Sequence, residues 1–476
     1  MVDLRFIPKF LNPARLLARL RNAISIALCS DMQLKQPKTK TLSDLCMTFR
    51  PRVLLIAEAC NPEWVSVPLV GWSMASALRK VTDVHLVTQV RNKDALVRAG
   101  LVEGHDFTAI DSEPVARPLW RLATKLRMGE GKGWTTVQAI DAVSYRYFEH
   151  VLWHTFKDQL RAGQFDIVHR LTPLSPTIPS SLATRSKKAG VPFVIGPLNG
   201  GVPWPRAFDA ERRKEREWLS YVRNAYKLLP GRRGTLGAKA IVVGSRHTQK
   251  EIPVFAQTRT VYMPENGIDP DRFSSVADHA PGKLRACFVG RMVPYKGPDM
   301  ALQASLPLLR KGLMSLDFVG DGPMLESLKE EVWDNGVQDA VTFHGWVPHK
   351  AVQNIIAKST LFLFPSIREF GGGAVLEAMA LGVPPLIVDY AGPGELVDHD
   401  TGFKVPLGTK GAIVAALLER LEFLATQPGL LKVSGSRARH YVQTSFTWAL
   451  KADQMLQIYE FASDMRPRPQ FFGQGE

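Results

Sequence analysis

Short apolar runs rich in β-branched residues alternate with longer helical patterns from residue 52 onward. The first half of the chain has such runs at 52–59, 84–89, 167–169, 192–198 and 240–245. The second half repeats the plan at 286–290, 316–320, 341–347, 360–365 and 384–390. Strands that alternate with helices form a largely parallel sheet with helices on both faces. The sequence therefore predicts an α/β protein with two doubly wound, Rossmann-like domains that face each other across a cleft.

The length of the chain supports this division, because 476 residues exceed one ordinary hydrophobic core. We expect an extension, an N-terminal Rossmann-like domain, a C-terminal Rossmann-like domain, and a C-terminal helix with a tail. Their predicted bounds are 1–48, 49–250, 251–440 and 441–476.

The composition indicates a globular protein of a reducing compartment. Hydrophobic residues make up 45% and charged residues 22% of the chain, and no apolar run reaches the roughly 18 residues of a membrane-spanning helix. The four cysteines form no CxxC pair, which argues against a disulfide framework and a zinc site. We therefore expect a cytoplasmic protein without a membrane-spanning helix.

The formal net charge of +15 favours anionic partners, which include nucleic acid, acidic lipid headgroups and phosphorylated substrates. No RRM, KH or zinc-finger pattern is found, so nucleic acid is not an expected partner. Basic residues cluster at 212–216 and 232–233, with glutamates interleaved in the first cluster. Two interpretations stay open for these clusters: a solvated helix face, or contact with the cytoplasmic membrane surface.

Residues 1–48 differ from the rest of the chain. Arg15, Arg19 and Arg21 alternate with leucines, and acidic residues are almost absent. This is the outline of a basic amphipathic helix, which would place the protein at the inner face of the membrane as a peripheral protein. A disordered extension or a misassigned start codon explains the same residues equally well.

The segment 366–390 carries the densest chemical signal. It places Glu369 and Glu377 on either side of Gly371–Gly373, between an apolar strand and a short helix. A glycine loop at such a junction exposes backbone N–H groups that suit phosphates and sugar hydroxyls. Carboxylates accept hydrogen bonds from hydroxyl groups. The combination predicts a sugar-nucleotide site.

A second signal is a pair of cations, Arg291 and Lys296, in the loop after the strand at 286–290. Two cations at the mouth of such a loop neutralise a diphosphate, and arginine binds it in a bidentate manner. Negative charge builds on a leaving diphosphate as its bond to the sugar breaks, so fixed cations stabilise the transition state.

The segment 366–390 resembles the E-x7-E motif of the retaining GT-B glycosyltransferases of family 4. The segments GRMVPYKGPD (290–299), FVGDGP (318–323) and PENGIDPDRF (264–273) resemble other signatures of the same family. The resemblance implies a GT-B fold, with an acceptor-binding first domain and a nucleotide-sugar-binding second domain. It also implies that a C-terminal helix at 446–461 crosses back to the first domain.

The resemblance also implies roles for individual residues. Glu377 would bind the ribose, Glu369 the donor sugar, and Arg291 and Lys296 the diphosphate, while His169 would lie near the transferred sugar. The residues predicted to be catalytic are Glu369, Lys296, Arg291 and His169. Those predicted to line the donor site are Arg291, Lys296, Gly322, Glu369, Phe370, Gly371, Gly372, Gly373, Val375, Leu376 and Glu377.

Each of these assignments has a structural alternative. Glu377 can complement a helix dipole, Gly322 can form an ordinary turn, and His169 can be a buried residue bonded to backbone. Asp269 and Asp271 form a DxD pair, but the flanking proline and Asn-Gly favour a turn. We therefore expect no metal, and no cofactor apart from the nucleotide-sugar substrate.

The acceptor side is less well defined, because many relatives have a glycine-rich loop after the first strand and this chain lacks it. The residues there that can shape an acceptor pocket are Glu58, Asn61 and Trp64. After the strand at 192–198, the candidate contacts are Asn199, Gly200 and Gly201. Trp204 either stacks on a sugar ring or belongs to the core.

The sequence thus predicts a retaining glycosyltransferase that moves a sugar from a nucleotide-diphosphate sugar to a glycan or lipid-linked acceptor. The product would belong to an exopolysaccharide or envelope polysaccharide. Two alternatives are a sugar-nucleotide epimerase of the same fold and a non-catalytic sugar-nucleotide-binding partner. The donor base and sugar, the linkage formed and the oligomeric state do not follow from the sequence.

Overall fold

The computed structural model describes residues 49–118, 134–200, 202–214, 231–279 and 282–472. These residues form two α/β domains, each built on one sheet. None of the helices in these ranges combines the length and the hydropathy that crossing a membrane requires. The predicted extension 1–48 and the acceptor candidate Gly201 lie outside the described residues.

The first domain has a sheet in which seven described strands follow the order β3-β2-β1-β4-β5-β6-β7. The strands are β1 (Arg52–Ala57), β2 (Asp83–Gln89), β3 (Phe107–Ile110), β4 (Ile167–Thr172), β5 (Phe193–Leu198), β6 (Ala240–Val243) and β7 (Thr260–Tyr262). All neighbouring pairs are parallel.

The second domain has six described strands in the order β10-β9-β8-β11-β12-β13, again with parallel neighbours. They are β8 (Leu284–Val289), β9 (Met314–Val319), β10 (Val341–Gly345), β11 (Leu361–Phe364), β12 (Pro385–Val388) and β13 (Phe403–Val405). The strand order reverses between β1 and β4 in the first sheet and between β8 and β11 in the second. In open parallel sheets, ligands bind beyond the carboxyl ends of the strands at such reversals.

Helices connect the strands in both domains. Those of the first domain are α1 (Val67–Val81), α2 (Lys93–Arg98), α3 (Trp134–Arg161), α4 (Leu182–Lys188), α5 (Asp209–Lys214), α6 (Arg232–Thr235), α7 (Arg246–Glu251) and α8 (Val254–Gln257). Those that follow are α9 (Pro298–Arg310), α10 (Leu325–Asp334), α11 (His349–Ile356), α12 (Gly373–Ala380), α13 (Ala391–Leu396), α14 (Lys410–Ala425), α15 (Pro428–Ser445) and α16 (Trp448–Ala462).

The first sheet is buried on both faces, which explains why its central strands read as continuous apolar runs. Leu54 and Ile56 of β1 pack with Phe148 of α3 on one face. Val53 and Leu55 pack on the other face with α1 and with the C-terminal helix α16, which supplies Met455 and Tyr459 among others. The last helix of the chain is therefore part of the core of the first domain.

The prediction of two Rossmann-like domains is confirmed. The first sheet continues to Tyr262 through the β6–β7 pair, beyond the predicted boundary at residue 250. Trp204 and Phe208, from the segment after β5, lie in the core cluster of the second domain. Of the two interpretations of Trp204, the structure supports the one that makes it a core residue.

Candidate active site

The predicted donor loop joins β11 to α12. Gly372 has the left-handed backbone conformation (φ 59°) and precedes the first residue of α12, and no side chain caps this helix. Because the first N–H groups of a helix have no partner within the helix, those of α12 remain available to oxygen atoms of a ligand. This is the anion-binding geometry that the glycines predict.

The loop is held in place by the crossover segment between the domains. The Asn266 side-chain amide donates a hydrogen bond to the Gly371 carbonyl (2.7 Å). A Cβ atom on Gly371 would overlap Glu265 Oε1 and Asn266 Nδ2, so only glycine fits there. The Gly392 N–H donates to the Glu369 carbonyl (3.1 Å) and fixes the loop from the side of β12.

Lys296 and Glu369 come together at the strand-order reversal of the second sheet. Lys296 ends a short 3-10 helix (Pro294–Lys296) in the loop after β8, and Glu369 lies in the loop after β11. The Lys296 ammonium contacts Glu369 Oε2, and both side chains are 20% exposed. The two charges that the sequence assigned to one donor therefore meet where the sheet is expected to bind a ligand.

Arg291 belongs to the same charged group. Burial raises the pKa of Tyr295, and the charges of Lys296, Arg291, Glu369 and Arg368 all act on the Tyr295 hydroxyl. The Arg291 side chain is exposed. Two cations beside an uncapped helix N-terminus can neutralise a diphosphate.

Glu377 lies in α12 and is paired with a histidine. His349, the first residue of α11, places Nε2 2.7 Å from Glu377 Oε1, with the two side chains 27% and 17% exposed. Sequence reasoning missed His349, although it comes two residues after the predicted strand at 341–347. The pair holds the Glu377 carboxylate in one orientation and leaves its second oxygen available to a hydroxyl group.

The other residues predicted to line the donor site are buried, half-buried or needed for loop packing. Val375 and Leu376 are fully buried, so only their backbone can face a ligand. Phe370 is half-buried. Gly322 has φ 155°, and a Cβ atom there would lie 2.6 Å from the Met292 carbonyl oxygen. Glycine at 322 therefore allows the loop after β9 to pack against the loop that carries Arg291.

Of the two interpretations of His169, the structure supports the one that makes it a buried residue bonded to backbone. Its side chain is fully buried on β4, and both ring nitrogens are engaged. Nε2 donates to the Gly196 carbonyl (2.7 Å), and Nδ1 accepts from the Tyr459 hydroxyl (2.7 Å). Burial lowers the pKa of His169 to about 4. A neutral histidine inside the core, with both ring nitrogens hydrogen-bonded, has no nitrogen left to contact a sugar.

The acceptor candidates after β1 are used within the first domain. Glu58 pairs with Arg91, and the buried Asn61 side chain accepts a hydrogen bond from the Glu63 N–H (2.9 Å), which closes a local turn. Trp64 is 45% exposed. Only Trp64 offers a large free surface to an acceptor among these three.

Asn199, one of the acceptor candidates after β5, contacts Glu265, a residue that sequence reasoning missed. Asn199 Nδ2 donates to Glu265 Oε1 (2.6 Å), and Asn199 Oδ1 accepts from the Gly200 N–H (2.8 Å). Burial raises the pKa of Glu265 to about 7. Its Oε2 has no hydrogen-bond partner among the described residues. The sequence signal that could have identified Glu265 is the position of an acidic residue shortly after the last strand of the first sheet.

Sequence comparison agrees with this geometry. Residues 271–425, which include the loops of Lys296, Glu369 and Glu377, match the family model described as glycosyl transferases group 1. This part of the chain is therefore similar to the group 1 glycosyltransferases.

Comparison with solved structures extends the agreement to both domains. The glycosyltransferase from Rickettsia africae ESF-5 aligns with a TM-score of 0.58 over 87% of this chain and 98% of its own, at 15% identity. The likeness shows that the two domains form a GT-B fold.

Two curated relatives are also similar. The amylovoran biosynthesis glycosyltransferase AmsK of Erwinia amylovora is 28% identical over 203 residues, which are 41% of this chain and 49% of AmsK. The match thus spans about half the length of that relative. An Escherichia coli protein named UDP-Gal:alpha-D-GlcNAc-diphosphoundecaprenol alpha-1,3-galactosyltransferase is 25% identical over 63% of this chain and 76% of its own length.

Proposed function

We propose that this protein transfers a sugar, with retention of configuration, from a nucleotide-diphosphate sugar to a glycan or lipid-linked acceptor. The observation that carries the proposal is the meeting of Lys296 and Glu369 at the β8–β11 reversal, beside the uncapped N-terminus of α12. Lys296 supplies a cation for a diphosphate there, and Glu369 supplies a carboxylate for sugar hydroxyls. Membership of family 4 and the roles of the E-x7-E glutamates belong to this proposal.

The chemistry follows from the positions of these groups. Arg291 and Lys296 stabilise the diphosphate as the bond between the sugar C1 and the phosphate oxygen breaks. Glu369 orients the donor sugar, and Glu377, held by His349, binds the ribose. The acceptor oxygen forms the new bond to C1 on the same face, and its proton passes to the leaving phosphate oxygen. A bound diphosphate competes with Glu369 for the Lys296 ammonium. The Glu369 carboxylate then becomes available to accept hydrogen bonds from the donor sugar.

The acceptor assignment rests on the relatives. The names of the two relatives given above refer to amylovoran biosynthesis and to a diphosphoundecaprenol-linked sugar. The first name refers to a biosynthetic product, and the second refers to an acceptor carried on a lipid diphosphate. An exopolysaccharide or envelope polysaccharide is therefore the proposed product, and its lipid-linked precursor is the first acceptor to test.

A thermal-shift panel of UDP-, GDP-, ADP- and dTDP-sugars tests the donor. A ligand that binds the native state at about 100 times its Kd adds about 2.7 kcal/mol to the unfolding free energy, so one nucleotide class should raise the melting temperature clearly above the others. No shift with any of the four would contradict the proposal. Labelled donor incubated without acceptor should release no epimer, whereas an epimer would indicate an isomerase. Activity in EDTA checks the predicted independence of a metal.

Two substitutions test the proposed roles. Lys296→Ala and Glu377→Ala should each lower the rate of sugar transfer on the order of 100-fold, because each removes a fixed charge from the proposed donor site. Circular dichroism should show both variants folded. Lys329→Ala, on the exposed surface of α10, is the matched control and should keep its activity. Near-normal rates in both site variants would overturn the assignment, and donor binding without turnover on native acceptors would favour a non-catalytic binding protein.

A further inference from the structure

The segment after β5 crosses from the first domain onto the second. Trp204 and Phe208 are 6% and 2% exposed, and both belong to the core cluster built by the second sheet. Their own domain is the first, since the segment follows β5 of the first sheet. One strap of the first domain, residues 202–208, is thus embedded in its neighbour.

The strap contacts three loops of the second domain. The Trp204 and Tyr295 rings meet edge to face, with centroids 6.0 Å apart. The Arg368 guanidinium lies 5.3 Å from the Trp204 ring and 5.6 Å from the Phe370 ring, so it is shared by two aromatic faces. The Tyr390 hydroxyl donates to the Pro203 carbonyl (2.9 Å).

These contacts are made by the immediate neighbours of the donor residues. Tyr295 precedes Lys296, and Arg368 and Phe370 flank Glu369. The Tyr295 carbonyl accepts hydrogen bonds from the Ile367 N–H (2.9 Å) and the Ser366 hydroxyl (3.0 Å), which ties two of the three loops together. Displacement of Trp204 therefore moves the backbone that carries Glu369.

We propose that Trp204 is a positioning residue that orients Glu369 toward the donor sugar, so that the sugar subsite is completed by the first domain. This inference rests on the proposed function, because it gives Glu369 the sugar as its ligand. The proposed diphosphate ligands Arg291 and Lys296 lie in the loop after β8, whose Tyr295 ring contacts the strap. Loss of Trp204 then weakens recognition of the sugar more than recognition of the diphosphate.

The test compares each nucleotide sugar with its nucleotide. Calorimetric titration measures UDP-galactose against UDP and GDP-mannose against GDP, for the wild-type protein and for Trp204→Ala. We expect Trp204→Ala to weaken the nucleotide sugar that binds the wild type about tenfold, and its nucleotide diphosphate less than twofold. A merely structural role would weaken both ligands to the same extent. Equal losses, or no loss, would overturn the proposal.

Further variants guard against a folding defect. Trp204→Phe keeps an aromatic ring and should recover most of the sugar-specific binding. Arg368→Gln removes the shared cation but leaves the core filled, and should show the same selective loss as Trp204→Ala. Trp333→Ala, at a 72% exposed tryptophan of α10, is the matched control and should bind both ligands as the wild type does.

Hydrogen exchange gives a readout that needs no donor. Amides of residues 366–373 should exchange faster in Trp204→Ala and Arg368→Gln than in the wild type, while those of β1 stay protected. Unchanged exchange at 366–373 would overturn the proposal. If the wild-type protein binds none of the nucleotide sugars, the proposed function fails, and the exchange measurement alone decides whether Trp204 positions the loop.

Discussion

The carboxyl group of Glu265 lies between the two domains with almost no access to water. Asn199 satisfies one oxygen, Gly371 packs against the same oxygen, and Gly244 packs against the other. The buried Lys451 donates to the Pro264 carbonyl (2.5 Å), and its charge lowers the pKa of Glu265 while that of Glu369 raises it. Burial dominates for both groups, because it raises the pKa of Glu265 and lowers that of Lys451.

The raised pKa of Glu265 predicts a pH dependence of stability. Between about pH 4.5 and pH 7 the native state keeps a proton that the unfolded state releases, so this group lowers stability as pH rises. Glu265→Gln cannot ionise and should be more stable than the wild type by about 3 kcal/mol at pH 7, with almost no gain near pH 4.5. Melting temperatures of both proteins across this range measure the difference.

The other titrating groups do not obscure that comparison. His169, whose pKa is lowered to about 4, makes stability rise with pH between its native and ordinary values, but it does so in both proteins and cancels. The lowered pKa of Lys451 acts from about pH 7 upward, and the charge of Glu265 raises that pKa, so the range from pH 4.5 to pH 7 is the part of the comparison that reports on Glu265. A difference in melting temperature between variant and wild type that stays the same at all pH values would refute the burial of an ionisable Glu265.

His169 should matter for folding and not for chemistry. His169→Ala removes two buried hydrogen bonds and leaves a cavity, for a loss of about 3 kcal/mol in unfolding free energy. Tyr459→Phe, which removes one of the two bonds, should cost about 1 kcal/mol. The measurement is thermal stability together with activity per folded molecule. A variant that stays stable but loses turnover would return His169 to the active site.

At the scale of elements, two helix N-termini are treated in opposite ways. No side chain caps α12, whose first amides we assign to the proposed donor site. The first amide of α7 donates to both oxygens of Glu395 from the second domain (2.9 and 2.8 Å), and the Tyr262 hydroxyl donates to the same carboxylate (3.1 Å). One helix end is thus kept for a ligand, while the other is used to join the domains.

Glu395→Ala should therefore weaken the junction between the domains. Loss of the carboxylate at a helix N-terminus costs about 1–2 kcal/mol. We expect a lower melting temperature and faster hydrogen exchange in α7. Glu395→Gln keeps one acceptor oxygen and should be affected less. Glu419→Ala, at an exposed position of α14, is the control. A melting temperature of Glu395→Ala equal to that of Glu419→Ala would show that the contact contributes nothing.

The strands that sequence reasoning missed share one place in the fold. β3, β7 and β13 are each the outermost strand at one end of a sheet and have only three or four residues. An edge strand has one neighbour instead of two, so it needs a shorter apolar run and gives a weaker pattern. The central strands, buried on both faces, were predicted to within a few residues of their observed ends.

At the scale of the whole molecule, the proposed donor site does not account for the formal net charge of +15. Membrane contact through residues 1–48 stays a prediction, because that segment lies outside the described residues. Deletion of residues 1–46 should reduce recovery on vesicles that contain anionic lipid, since basic amphipathic segments bind such surfaces electrostatically. The thermal shift caused by the donor should not change.

Vesicle flotation at low and high salt provides the measurement. The full chain should float with anionic vesicles at low salt and less so at high salt, because salt screens exposed charges. Neutral vesicles are the control. Equal flotation of the full and shortened chains would leave residues 1–46 without a role in membrane binding.

The sequence by itself determined the two parallel sheets, the glycine loop and the charged residues at the ends of β8 and β11. These features depend on local periodicity and on the topology that periodicity implies. Only the tertiary structure decided which of the polar side chains are accessible. His169 is sealed by Tyr459, which lies 290 positions away along the chain, and Trp204 is buried by residues of the other domain. Burial depends on contacts between distant segments, and no local pattern records them.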